Sequence, residues 1–167
     1  MISDPRGIEL TGATKRQASI FEDVTKAYLD YRLSAYPMLK ELCENAPEFG
    51  MAHLFKGFLL LSMGMSATIP GAKACADHVR KMGQLTRREE LHLKALDSWI
   101  SGDTRKSCAF WDEVLFSEPL DILALKLQHF SLCTPLALCG NRGGHHLCRN
   151  ASMHAAHAHV CTMHQDW

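Results

Sequence analysis

The sequence predicts an all-α protein built from stacked helical hairpins, an α-solenoid that ends in an irregular C-terminal tail. Apolar residues recur with helical spacing through residues 18–132, and no segment alternates apolar and polar residues as a strand would. Helix-capping residues stand at several predicted helix starts. Two amphipathic segments end in prolines, Pro47 and Pro119, that lie 72 residues apart, twice a 36-residue period. A period in this range is typical of repeated helix pairs.

Small residues repeat in the same way and favour a tetratricopeptide-like hairpin. Gly57 precedes Gly64 by seven positions, and Ala95 precedes Gly102 by seven. A small residue lets the two helices of a hairpin approach closely, and a glycine lets the chain reverse. An ordinary helical bundle with coincident glycines remains the alternative. We expect about three hairpins within residues 18–132.

The first half of this domain contains four predicted helices. Pro47 ends the second, because proline lacks the N–H group and crowds the preceding turn. The third is apolar nearly all round, which predicts a helix buried between neighbours. Pro70 and Gly71 predict a turn before the fourth. Residues 1–17 contain proline and glycine without a period, and we expect a flexible N-terminal arm there. The four helices are predicted at residues 18–33, 36–46, 49–65 and 72–82.

Three further helices follow, and polar residues mark their ends. Thr86 and Glu89 form a capping box, in which each side chain bonds the backbone N–H of the other residue. Gly102 and Asp103 are suited to end one helix and to begin the next. Asp121 is suited to cap the last helix. These helices are predicted at residues 86–101, 104–117 and 122–132.

Composition limits the classes of function. The chain carries 18 basic and 18 acidic residues, so its formal net charge is zero. Nucleic-acid binding needs a basic excess, and we expect no nucleic-acid partner. We find neither a secretory leader nor an apolar run long enough to span a bilayer, so we expect no membrane partner. The seven cysteines, an odd number, then indicate reduced thiols and a cytoplasmic location.

Three stretches of the chain resemble the tetratricopeptide repeat protein 38 family. They are LTRREELHLKAL at residues 85–96, the WDEVL to LQH segment at 111–129, and APEFGMAH at 46–53. The resemblance covers about residues 20–132 and departs from the repeat at Gly83, where a closing proline is absent. It implies an all-helical repeat protein without catalytic residues to carry over. Because family members are longer, it also implies that this chain is the N-terminal portion of such a protein.

We therefore expect a scaffold that binds a protein or peptide partner in a concave groove, with no cofactor. In the third hairpin the residues predicted to face this groove are Glu89, His92, Leu96 and Trp99. Trp99 is the best candidate anchor, since buried aromatic side chains dominate many binding energies. A role for Trp99 in the core is the alternative.

Residues 133–167 differ sharply from the rest, with four cysteines and six histidines. One interpretation is a Zn²⁺ site at His154, His157, His159 and Cys161, which would make the chain a zinc-binding module or a metal-dependent enzyme. However, the spacing matches no standard zinc motif. A shifted reading frame and a genuine disordered extension are the other interpretations.

The remaining histidines and cysteines suggest no active site. His53, His78, His92 and His129 lie on predicted helices, and nothing in their spacing supplies the hydrogen-bonded partner that a catalytic imidazole needs. The cysteines of the helical domain fall within apolar periods and are expected to behave as small hydrophobes.

The last predicted helix raises the prospect of self-association. A solenoid needs a polar cap on its final repeat. Here Ile122, Leu125 and Leu127 are expected to be exposed without a partner. We therefore expect a marginally stable or self-associating chain.

Overall fold

The structure, a computed structural model, describes residues 2–133. Over this range the chain forms a short β-hairpin followed by seven α-helices, which confirms the predicted all-α class for the described residues. A single 3₁₀ turn, Ser66–Thr68, precedes the fourth helix. The elements are β1 (Ile2–Ser3), β2 (Glu9–Leu10), α1 (Lys15–Leu29), α2 (Ala35–Asn45), α3 (Gly50–Ser62), α4 (Ile69–Lys81), α5 (Arg87–Ile100), α6 (Thr104–Ser117) and α7 (Ile122–Cys133).

The predicted N-terminal arm contains the antiparallel β-hairpin and packs on α1. The Asp4 carboxylate accepts hydrogen bonds from the backbone N–H groups of Arg6 (2.8 Å) and Ile8 (2.9 Å). The Arg6 guanidinium pairs with Glu22 of α1, and Leu10 is only 1% exposed. Strands of two residues are too short to show an alternating pattern, so they could not be predicted from the sequence.

The capping residues predicted for the fifth and sixth helices are confirmed, whereas the first, third and fourth helices begin or end several residues away from their predicted bounds. The Thr86 hydroxyl accepts from the backbone N–H of Glu89 at 3.2 Å, and the Glu89 carboxylate accepts from the backbone N–H of Thr86 at 2.9 Å. The Asp103 side chain accepts from the backbone N–H of Lys106 at 3.0 Å. Gly102 has a φ of +85°, a conformation that glycine adopts without strain.

The turn predicted at Pro70 and Gly71 is instead the first turn of α4. Proline fits there because the first N–H groups of a helix have no partner within the helix. A Cβ at Gly71 would lie 3.1 Å from Cδ1 of Leu60, so α4 begins in close contact with α3.

Helix α3 is the centre of the hydrophobic core, as its apolar composition predicts. The Phe55 ring packs against Phe21 of α1, with ring centroids 5.9 Å apart. The Phe58 ring lies 6.2 Å from Trp99 of α5 and 5.5 Å from Trp111 of α6. Every side chain in these pairs is buried. One helix thus holds together elements that are far apart in sequence.

Gly57 allows three helices to meet. A Cβ on Gly57 would lie 2.7 Å from Cδ2 of Leu96 on α5 and 3.5 Å from Cβ of Cys75 on α4. Any larger residue would have to displace the buried Leu96 side chain. The predicted role of this small residue in close helix packing is confirmed.

The last helix contacts both α5 and the loop that follows α1. Phe130 of α7 packs against Trp99, with ring centroids 6.2 Å apart. The Lys126 ammonium donates to the Tyr31 hydroxyl at 2.6 Å and lies 4.1 Å from the ring centroid. Tyr31 holds a left-handed backbone conformation, with φ of +56°. The first and last helical segments of the described chain are therefore joined directly.

Candidate functional site

The four residues predicted to line a groove lie in the interior. Glu89, His92 and Leu96 have no exposed surface, and Trp99 is 6% exposed. The reason is that α5 packs against α3, α4 and α6, and that Asp121, which precedes α7, and Phe130 of α7 add further contacts. For Trp99 this burial matches the alternative interpretation, a core residue. A partner cannot touch these side chains without displacing the helices that pack on α5.

His92 belongs to a buried ionic cluster that the sequence did not reveal. Its Nε2 lies 3.1 Å from Oδ2 of Asp121, the residue that caps α7. The same oxygen accepts from Nε of Arg88 at 2.6 Å. The other oxygen, Oδ1, accepts from the backbone N–H of Ala124 at 3.1 Å and so caps the helix as predicted. One carboxylate thus fixes the start of α7 to the side of α5.

The charges in this cluster follow from its burial. Burial acts to raise the pKa of the Asp121 carboxyl, but the hydrogen bond from His92 and the Arg88 guanidinium prevail and hold the pKa well below its usual range. Burial also lowers the pKa of His92, against the pull of Asp121. We infer an ionised Asp121 that pairs with Arg88, beside a neutral His92 that donates its Nε2 hydrogen.

A carboxylate that orients an imidazole also occurs in catalytic triads, but a further group is required for catalysis. A nucleophile must be ionised or activated. Among the described thiols, burial raises the pKa of Cys43 to about 12 and of Cys108 to about 11, so both stay protonated. His92 itself is completely buried. The arrangement therefore serves to position α7, and the cysteines act as small apolar residues, as predicted.

Glu89 lies beneath a surface cleft formed by three turns. The cleft has a volume of about 320 Å³ and is lined from the segments at residues 11–12, 48–50 and 82–85. A Cβ on Gly50, which lines it, would lie 3.8 Å from Oε1 of Glu89. That oxygen accepts from the backbone N–H of Thr11 at 3.3 Å. The capping glutamate of α5 thus also holds the N-terminal segment against the helices.

A second, shallower groove lies between the start of α5 and the end of α6. It has a volume of about 480 Å³ and is lined by Arg87, Asp112, Glu113 and Phe116. The Phe116 side chain is 92% exposed. A fully exposed phenylalanine next to charged side chains is the kind of apolar feature that marks interaction surfaces.

More exposed apolar residues follow Phe116 along the chain. Leu120, in the loop between α6 and α7, is 62% exposed, and Leu125 of α7 is 49% exposed. Together with Phe116 we call them the α6–α7 surface. The predicted exposure of Leu125 is confirmed, whereas Leu127 is fully buried because it lies on the side of α7 that faces the core.

A pair of histidines with tilted rings in contact occupies the junction of α2, α3 and α4. The rings of His53 on α3 and His78 on α4 have centroids 4.3 Å apart. Nε2 of His78 lies 2.8 Å from the carbonyl oxygen of Pro47, in the turn between α2 and α3. Neither contact follows from the sequence spacing, because the two histidines come together only when α4 folds back on α3.

No grouping of three or more metal-binding side chains occurs within residues 2–133. The residues of the zinc interpretation, His154, His157, His159 and Cys161, lie outside the described part of the chain. The helices between residues 2 and 133 are all too short or too polar to cross a bilayer.

Comparison with known proteins adds no assignment. The chain matches no protein-family model. No solved structure matches it either.

Proposed function

We propose that this chain is a helical-repeat scaffold that binds a protein or peptide partner through the α6–α7 surface. The observation that carries the proposal is the almost complete exposure of Phe116, beside a groove with both charge signs. Burying a phenylalanine in a partner contributes about 1.5–3 kcal/mol. The partner site therefore differs from the groove that the sequence predicts.

Contacts between every second helix support the repeat part of the proposal. Phe55 of α3 packs on α1, Phe58 of α3 packs on Trp99 of α5, and Trp99 packs on Phe130 of α7. Stacked hairpins bring every second helix into contact in this way. The resemblance to the tetratricopeptide repeat protein 38 family agrees with the arrangement, and membership of that family is part of the proposal.

The charges around Phe116 favour a peptide with a basic residue. Asp112 and Glu113 contribute two carboxylates to the groove, against the single guanidinium of Arg87. Asp112 also bonds Gln128 of α7, which fixes its side chain in place. A peptide that sets an apolar side chain on Phe116 and a lysine or arginine beside Glu113 would complement the groove in shape and charge.

Selection from a random peptide library displayed on phage, with the full chain as bait, tests this proposal. We expect enriched peptides that combine apolar and basic residues. The affinity of a selected peptide is then measured by fluorescence anisotropy. Replacing Phe116 with serine is expected to weaken binding at least about tenfold, as for a hot-spot residue.

Met65→Ser is the matched control, because Met65 is also exposed, at 53%, but lies between α3 and α4. It should leave the affinity unchanged. The proposal fails if no peptide is enriched, or if both variants bind the selected peptide as the unmodified chain does.

A further inference from the structure

The contacting histidines His53 and His78 show an incomplete hydrogen-bonding arrangement. Nε2 of His53 is buried and has no hydrogen-bond partner. The ring of His78 lies against the ring of His53, and Nε2 of His78 is itself hydrogen-bonded to the carbonyl oxygen of Pro47. A proton added to Nε2 of His53 would be a buried donor without an acceptor, which is unfavourable. While α4 is packed against α3, the geometry therefore favours the neutral form of the His53 imidazole.

The surroundings of His53 also favour its neutral form. Burial has the largest effect and lowers the pKa of His53. The facing His78 and Lys56, which lies one turn further along α3, lower this pKa as well. The carbonyls of Ala46 and Pro47 only partly oppose these effects. The result is a pKa of about 4, below the ordinary 6.5. On α2, the titratable group next to Lys56 is the thiol of Cys43, which stays protonated.

We propose that His53, His78 and the Pro47 carbonyl form an acid-sensitive latch that holds α4 against the turn between α2 and α3. Once α4 separates from this turn, water reaches His53 and the imidazole can accept a proton. Because the open form binds a proton that the closed form excludes, acidification favours opening. At neutral pH the imidazole is uncharged in both forms, and the latch stays closed.

The latch lies next to the cleft above Glu89, which gives its opening a structural consequence. Glu48, which forms part of the wall of the cleft, directly follows Pro47, and Met82, which forms another part of the wall, directly follows α4. When the latch opens, these two parts of the wall are released from each other. The latch therefore links the shape of the cleft to pH, and it does not depend on the proposed peptide site.

Hydrogen–deuterium exchange at about pH 7.5 and about pH 5, corrected for the intrinsic exchange rate, tests the proposal. We expect the opening constant of amides in α4 to rise about tenfold at the lower pH, because the imidazole titrates within this range. Amides of α6 should change much less, because the ring contact and the hydrogen bond of the latch are made by α3, α4 and the turn before α3. Unchanged protection of α4 across this range would overturn the proposal.

The His53→Phe variant separates the latch from general acid sensitivity. Phenylalanine keeps an aromatic ring against His78 but cannot accept a proton, so the acid-induced opening of α4 should be lost. His129→Gln, which removes another half-buried histidine, should still show the acid-induced opening of α4. If His53→Phe does not fold, an NMR titration of the histidine rings in the unmodified chain decides the matter. A His53 ring that titrates near pH 6.5 in the folded protein would contradict the latch.

Discussion

Nε of Arg88 on α5 donates to Oδ2 of Asp121 at 2.6 Å, and both side chains are almost completely buried. The two residues are 33 positions apart, and their contact sets the position of α7 on the helical domain. A buried ion pair stabilises a protein little in comparison with a well-packed apolar pair, but removing one partner leaves an uncompensated charge in the core.

Replacing Asp121 with asparagine should therefore be strongly destabilising. We expect a loss of about 3 kcal/mol in the free energy of unfolding, measured by urea denaturation, because the Arg88 guanidinium loses its counter-charge. The control is Asp97→Asn, since Asp97 pairs with Arg80 at an exposed position, 2.9 Å apart. An exposed pair contributes less than about 1 kcal/mol. Equal losses in the two variants would show that the buried cluster has no special role.

The stability of the chain should decrease as the pH falls from neutral towards about 3. His92 has a pKa below its unfolded value, so the unfolded state takes up this proton first as the pH falls below about 6.5. Asp121 has a depressed pKa, and its contribution is present above its unfolded value near 4 and is lost below it. Urea denaturation at several pH values measures the decrease, and Asp121→Asn should show a smaller decrease below about pH 5. An identical pH profile for the variant would be the contrary result.

Replacing each of two glycines of α3 with alanine should change the stability of the protein in opposite ways. At Gly57 a methyl group would lie 2.7 Å from Leu96, and we expect a net destabilisation of about 1–2 kcal/mol from overpacking. At Gly50 a methyl group would meet its neighbours at ordinary distances of 3.7–3.8 Å. Gly50→Ala should be neutral or stabilise the helix by up to about 1 kcal/mol. Thermal denaturation of the two variants makes the comparison, and a Gly57→Ala protein as stable as Gly50→Ala would contradict the close packing of α3 and α5.

The exposed face of α7 should promote association between copies of the chain. Leu125 is 49% exposed, and Ile122, one turn earlier, is half-buried. Sedimentation velocity over a range of concentrations should show reversible oligomers in the unmodified chain. Leu125→Glu should shift the distribution towards monomer, because a carboxylate at a contact between copies is costly to desolvate. Lys94→Glu, a charge change at an exposed position of α5, serves as the control. A monomer at every concentration would refute this prediction.

The sequence by itself determined the local structure, because local structure depends on residues only a few positions apart. Thr86 and Glu89 specify a helix start through bonds between neighbouring residues, and Gly102 and Asp103 specify an end and a start for the same reason. The apolar residues around α3 likewise predicted its burial. These features require no knowledge of where the other helices lie.

Tertiary structure alone decided which side chains meet and which remain exposed. His92 has a partner, Asp121, only because α7 packs beside α5, and His53 meets His78 only because α4 folds back on α3. Glu89 is removed from solvent because the N-terminal segment at Thr11 and the start of α3 at Gly50 lie against its carboxylate. A helical period tells which residues share one face of a helix, but the neighbours on both sides determine whether that face lines a groove or fills a core.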